Sequence, residues 1–423
     1  MKYNSILFTI DEVCSITDCQ HKTAPTLDYP SEYRMLRTVN IRNGQLRNID
    51  STKSVSKEIY DQWSVRGYLE SGDVILTREA PMGEVALLRE NEKYKFFLGQ
   101  RILQLKAFPD IISPEFLYYS LQTKELRHQI MMNEGTGSVV SNIRIPLLKK
   151  IKILVPPLSQ QKNITKILID IDDKILLNKK IISKLERIAQ TLFKRWFIDF
   201  EFPNEEGQPY KTSGGEMVES ELGKIPKGWK VEFLHEYVDF LSGGTPKTTI
   251  QEYWNGSIPF FTPKDAKSNL YTTVTEKTIT ELGLEKCNSK LYPKNTLFIT
   301  ARGTVGKLAL ANKAMAMNQS CFALKHKENK QFYLYHVVEN LVKKIILGAN
   351  GAVFSAINLN DLKNLNYAYS NESLISKFEN TVSNFYDQMS LLEKENIKLQ
   401  QIRDSFLPKL LSGEIKISDE LEV

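Results

Sequence analysis

The residues best suited to chemistry in this chain sit in short polar loops, and the loops come as two matching sets. The first half holds Gln20-His21-Lys22-Thr23, Arg37-Thr38-Val39-Asn40, Thr77-Arg78-Glu79, Gln100-Arg101 and Gly135-Thr136-Gly137-Ser138. The second half holds Gly243-Gly244-Thr245-Pro246-Lys247, Thr262-Pro263-Lys264-Asp265, Thr300-Ala301-Arg302-Gly303-Thr304, Asn318-Gln319-Ser320 and Asn350-Gly351. Arginine and lysine can bridge the guanine edge, and asparagine and glutamine the adenine edge. Glycine-loop N–H groups and Ser/Thr hydroxyls suit phosphate oxygens. The candidates for nucleic-acid contact are therefore His21, Lys22, Thr23, Arg37, Asn40, Arg78, Gln100 and Arg101 in the first half. In the second they are Thr245, Lys247, Lys264, Arg302, Thr304, Asn318, Gln319 and Ser320. The competing reading is that Thr and Gly here only shape turns and caps, and for the fifth, glycine-rich loop that reading is preferred.

Catalytic patterns are missing. The sole Pro-Pro, Val155-Pro156-Pro157-Leu158, lacks the polar first residue and the aromatic of an amino-methyltransferase motif. It reads instead as the breaker ahead of a helix. Gly303-Thr304-Val305-Gly306-Lys307-Leu308 is too short for a phosphate-binding loop and ends in Leu. No HExxH occurs, and the five His are dispersed. Cys14, Cys19, Cys287 and Cys321 form no CxxC pair; His21 stands near Cys19 without a second ligand pair, so reduced thiols and no metal are expected.

The 423 residues leave room for two or three domains. No apolar run is long enough to span a bilayer, and the acidic residues in MKYNSILFTIDEV mark it as part of the fold rather than a secretion signal. Net charge is +6, distributed as +3 over 1–155, +4 over 156–200, −3 over 201–229, +6 over 230–370 and −4 over 371–423. The positive excess suits a polyanionic partner.

The elements that must position the loops are written twice. SGDVILTREAPMGEVALL (71–88) corresponds to PKNTLFITARGTVGKLALA (293–311), with Thr77 matching Thr300 and Gly83 matching Gly306. Gln100 corresponds to Gln319, and GTGSVVSNI (135–143) to ANGAVFSAI (349–357). The order of blocks holds while the offset drifts, as in a tandem duplication with unequal loops. Short β-rich runs (DVILT, EVALL, RILQL; TLFIT, KLALA, CFALK) and one helical stretch per copy (EFLYYSLQTKELRHQIM; QFYLYHVVENLVKKIIL) make each copy α+β.

A long helix follows each copy. Ile164, Leu168, Ile171, Ile175, Asn178, Ile182, Leu185, Ala189, Leu192 and Trp196 step by four and three, a heptad seam over 159–199. At about 1.5 Å per residue this helix is about 60 Å long. Ser159 is its expected N-cap. Adding 214 to the seam gives Phe378, Val382, Phe385, Met389, Leu392, Asn396, Leu399, Arg403, Phe406 and Leu410 over 372–412. Only Arg403 is out of character, and Pro408 predicts a kink or an early stop. Antiparallel pairing, with facing residue numbers summing to 574, sets Asn178 against Asn396. Parallel pairing would bury each Asn against an apolar residue, at about 1–3 kcal/mol per lost hydrogen bond. The expected plan is a head at 1–155, a helix at 156–200, a linker at 201–229, a second head at 230–370, a helix at 371–412 and a tail at 413–423. The two α+β heads are expected at opposite ends of an intramolecular antiparallel two-helix coiled coil, related by a pseudo-two-fold axis.

This plan resembles the specificity subunit of type I restriction–modification enzymes over essentially the whole chain. SGGTPKTTIQEYWNGSIPFFTPKD (242–265) and ARGTVGKLALA with AMNQSCFAL (301–324) look like that family's target-recognition domain. VPPLSQQKNITKILIDIDDKILLNKKI (155–181) and LFKRWFIDFEFPN (192–204) are similar to its central conserved region. In the first head HKTAP stands in place of the GGTP form. The resemblance implies a non-catalytic chain of the prokaryotic cytoplasm, binding no cofactor and no membrane. Such a chain reads a split, asymmetric double-stranded DNA target, one half per target-recognition domain, with the coiled coil setting the spacer. It further implies two modification (methyltransferase) subunits carrying S-adenosylmethionine, and restriction subunits using ATP and Mg. The reading from another class is a coiled-coil scaffold whose two heads bind proteins.

Overall fold

In the computed structural model, residues 4–91, 93–132, 142–267, 269–348, 356–415 and 417 are described. The chain divides into two compact units, residues 1–174 with 399–423, and residues 175–398. This division differs from the expected one, in which heads and helices are separate pieces. In each unit the head and its stretches of long helix share a single apolar core. In the first unit Ile164, Leu168, Leu407 and Leu410 pack with Phe116, Leu117 and Val74. In the second, Ile182, Ala189, Phe378 and Val382 pack with Tyr333, Leu334 and Leu297.

The first head is built on a four-stranded antiparallel sheet in the order Cys14–Asp18, Ile102–Ala107, Val74–Thr77, Val85–Leu87. The second repeats that order with Val238–Ser242, Cys321–His326, Leu297–Thr300, Leu308–Ala311, and adds Tyr271–Thr272 in parallel at the edge. Both central strands, VILT and LFIT, are buried at every position. Each is sandwiched: Val74 and Leu76 face the helix Pro114–Leu121, while Ile75 faces Leu36 and Phe96 of a second sheet. Burial on both faces explains a continuous apolar run where a half-exposed strand would alternate. The second sheets also correspond: Lys53–Ser54, Tyr33–Leu36, Lys95–Leu98 in one head and Lys277–Ile279, Trp254–Phe261, Ala316–Met317 in the other. In each, the first pair is antiparallel and the second parallel. A third, two-stranded ladder closes each head, Ile6–Thr9 on Lys152–Val155 and Lys230–Phe233 on Asn366–Tyr369. The six strands named from sequence are all present, and the duplication extends to strand order and direction.

The long helices run over Leu158–Phe193, continued by a wide turn at Lys194–Ile198, and over Glu372–Leu411. In the second unit they are antiparallel. Asn178 Nδ2 donates to Asn396 Oδ1 at 3.0 Å, and the Trp196 and Phe378 rings lie 6.1 Å apart. Both pairs obey the predicted facing rule. Ile175, Asn178, Ile182, Phe378, Val382, Met389 and Asn396 are buried, while Leu185, Leu192, Phe385 and Leu392 pack against the same core from its rim. In the first unit Ile171 and Leu399 are half-buried.

Three expectations for the helices are corrected, and the odd seam residue finds its partner. Phe406 is 41% exposed and Leu407 takes its seam place, because the seam steps by four after Arg403 and then by three to Leu410. A helix of 3.6 residues per turn drifts from a strict heptad, so such a shift accumulates toward its end. Ser159 lies inside the first turn rather than capping it; Gln160 and Gln161 N–H groups bond the Pro157 carbonyl instead. Pro408 neither kinks nor stops the helix early, because it falls in the last turn, where few backbone bonds remain to lose. Arg403, the odd seam residue, is neutralised: its Nη1 donates to Asp172 Oδ1 at 2.6 Å, and Tyr119 Oη donates to Asp172 Oδ2 at 2.7 Å.

Candidate nucleic-acid interface

At one end of each main sheet the strands open into loops that are tied to one another by backbone hydrogen bonds in the same pattern. In the first head Gly99 N donates to Leu36 O (2.9 Å), Arg78 N to Arg101 O (2.8 Å) and Ile143 N to Arg78 O (3.1 Å). In the second, Asn318 N donates to Phe261 O (2.9 Å), Ala301 N to Ser320 O (2.8 Å) and Ile357 N to Ala301 O (3.0 Å). The close approach requires glycine. A Cβ on Gly99 would sit 2.1 Å from Leu36 O, and one on Gly243 2.1 Å from Asn318 O. Thr77 and Thr300 are fully buried, and each hydroxyl accepts from the N–H seven residues on, Glu84 N at 2.9 Å and Lys307 N at 3.0 Å. These two threonines build the hairpin framework, which leaves their neighbours to present side chains.

The first head gathers His21, Thr23, Arg78 and Gln100. Gln100 Nε2 donates to His21 O (3.3 Å) and Thr23 Oγ1 (3.2 Å). Arg78 is held at two points, Nε on Ile143 O (3.0 Å) and Nη1 on Asp18 Oδ2 (2.9 Å), and Nη1 lies 3.3 Å from His21 Nε2. Lys22 is exposed on the same loop. Arg101 is exposed and lies 3.3 Å from Glu79 Oε2. Arg37 is half-buried. Asn40 is a correction: it is 2% exposed, its Oδ1 accepts from Arg37 N and its Nδ2 donates to Arg47 O, so it braces a turn and offers nothing to a ligand.

The second head forms two smaller groupings, Thr245 with Gln319 and Thr304 with the turn that carries Lys264. Thr245 and Gln319 bond through their side chains, and Thr304 Oγ1 donates to Pro263 O at 3.4 Å. Lys264 lies 3.8 Å from Glu276 on the surface. Lys247 and Arg302 are exposed and, among the described residues, have no carboxylate partner. Asn318 and Ser320 are half-buried, Asn318 Oδ1 accepting from Ser320 N. Gly135-Thr136-Gly137-Ser138 and Asn350-Gly351 lie outside the described residues.

Two carboxylates that sequence reasoning left out of the site organise it. Asp18 holds Arg78 and His21, and Asp265 holds the Thr262 N–H and hydroxyl at 2.9 and 2.7 Å. Asp265 had a local signal in its Thr-Pro-Lys-Asp turn. Asp18 had none, since its partner Arg78 is sixty residues away. Asp18, Cys19 and His21 have ligand atoms within 4.8 Å of one another. The Arg78 guanidinium already stands against two of them, so the positive charge there is an arginine's. Cys14 donates to Ile10 O, and burial pushes its thiol up to about 12.

A family model for the type I restriction modification DNA specificity domain matches residues 5–187 and again 226–367. Among curated proteins the chain is similar to the type I restriction enzyme MjaIX specificity subunit of Methanocaldococcus jannaschii, 28% identical over 378 residues, 87% of this chain and 83% of the relative. It is also similar to the HindI specificity subunit of Haemophilus influenzae, 22% identical over 400 residues, 82% of this chain and 87% of the relative. The crystal structure of a type I restriction–modification S subunit from M. genitalium shares the fold, with a TM-score of 0.60 at 17% identity over 98% of this chain and 97% of that one. The chain belongs to this family: it is a specificity subunit of a type I restriction–modification system, with two DNA specificity domains in tandem. Such subunits are not catalytic by themselves, and the scaffold alternative finds no support in these matches. No described helix is long and apolar enough to cross a membrane.

Proposed function

We propose that each head reads one half of a split, asymmetric double-stranded DNA target, and that the paired long helices set the length of the unread spacer. The observation that carries this is the pair of corresponding loop clusters: one framework, with Arg78, Gln100 and His21 in one head and Arg302, Lys247 and Gln319 in the other. Equal frameworks with unlike side chains suit unlike half-sites. Joining two modest half-site binders makes the second contact intramolecular, so the affinities compound only where the spacing fits. Two modification subunits would bind the chain and carry S-adenosylmethionine, flipping an adenine out of each half-site. Restriction subunits using ATP and Mg would complete the nuclease, all within a prokaryotic cytoplasm where the DNA lies.

The test is selection of preferred sites from random duplex DNA by the full chain, alone and with its modification subunits. The reading predicts two short fixed blocks separated by a fixed gap, and binding that weakens steeply with salt as phosphate contacts release counterions. Selected sites with one continuous block, or none, would contradict it.

A further inference from the structure

The Arg78 constellation goes beyond the shared framework. Both heads build the same loop bonds, so a residue needed for the framework should recur in both. It does not. The place of Asp18, opposite Leu103 in the sheet, is taken by Ser242 opposite Phe322 in the other head. The place of Arg78, whose N–H bonds the loop carbonyl, is taken by Ala301. With Ser242 and Ala301 at these two places, the second head folds the same loop bonds without an ion pair between them. The pair is thus specific to the first head, and it lies at the loop end of the sheet where that head presents His21, Thr23 and Gln100.

Its geometry fixes a guanidinium and leaves an edge free. Nε is committed to Ile143 O and one Nη1 hydrogen to Asp18 Oδ2. His21 Nε2 lies 2.9 Å from the same Asp18 oxygen, so as an N–H it is a second donor to that carboxylate. Among the described residues Nη2 has no partner, so its hydrogens are the donors left for a guanine O6 and N7 edge. An unrestrained arginine loses rotamer freedom on binding; one held from behind by a carboxylate has already lost it. The Arg78 side chain is 21% exposed and that of Asp18 19%, so the pair is partly open to solvent.

We propose that Arg78 reads one guanine in the half-site of the first head, and that Asp18 is the positioning residue that aims it. This rests on the functional reading above. The full chain, assembled with its modification subunits, is tested by site selection as wild type, Arg78→Ala, Arg78→Lys and Asp18→Asn. Arg78→Ala should lose its preference for guanine at a single position of one half-site, by on the order of 10- to 100-fold. Arg78→Lys, which keeps the charge but not the fork, should lose most of that preference while retaining affinity. Asp18→Asn should relax the same position and no other. In every variant the second half-site and the spacer should be unchanged, which shows within each experiment that the protein is folded. Unchanged base preference in Arg78→Ala, or an even loss of affinity across the half-site with no change of preference, overturns the proposal and leaves the functional reading standing. A wild-type complex without any preferred site overturns both.

Discussion

At the scale of single residues, the heads hold buried groups that respond to pH as well as residues that face solvent. His326 is 1% exposed; its Nδ1 accepts from Glu328 N, while its Nε2 has no partner among the described residues. Burial pushes its imidazole down to about 4. The unfolded chain takes up the proton near pH 6.5 and the folded chain only near 4, so its contribution to stability is full above 6.5 and is lost as pH falls toward 4. The loss amounts to about 3 kcal/mol across that window. Glu379 and Glu393, whose carboxyls burial pushes up, act with the opposite sign. The readout is therefore a difference: urea midpoints should fall more steeply from pH 7 to 4.5 in wild type than in His326→Asn, and parallel curves would refute the assignment. Candidate contact residues were legible by type but not by role. Asn40 and Gln100 look alike as amides in loops, yet one is sealed under a turn and the other lies on the rim. The difference is set by contacts such as the Arg47 carbonyl, which no local pattern announces.

At the scale of elements, polar residues inside the helix seam carry the pairing. Asn178 Nδ2 donates to Asn396 Oδ1 and also to Glu395 Oε2 at 2.9 Å. Asn178→Leu removes the donor from both acceptors and should cost about 1–3 kcal/mol in urea unfolding of the full chain. Adding Asn396→Leu should recover part of that loss, and an additive double mutant would contradict the pairing. In the other unit Asp172 is buried between Arg403 and Tyr119. Asp172→Ala removes the acceptor of the Tyr119 hydroxyl and one of the two carboxylates on the partly buried Arg403, which keeps Asp404, and should cost about 1–3 kcal/mol; no measurable loss would place the pair among surface ion pairs. The antiparallel direction was legible because two asparagines in unlike frames can meet in only one orientation. The strands were legible because their apolar runs end at turn residues. The shift from Phe406 to Leu407 was not, since two adjacent apolar residues serve the heptad equally and only accumulated helix drift chooses.

At the scale of the whole molecule, the duplication was legible from the sequence because its block order survived while the offset drifted, and strand order and direction in the two heads agree with it. On the proposed reading the tasks separate: loops choose bases, and helix length chooses spacing. Duplicating one heptad in both long helices, at facing positions, keeps the seam in register and adds about 10 Å. That corresponds to about three base-pair steps of DNA. Selected sites should then carry a longer spacer between unchanged half-sites. The most direct measurement of the central claim is methylome sequencing of the host with and without this chain. The account predicts that one methylated motif disappears, made of two unlike half-sites separated by a fixed number of unspecified bases. A methylome unchanged by loss of the chain, or loss of a short continuous motif, would contradict it.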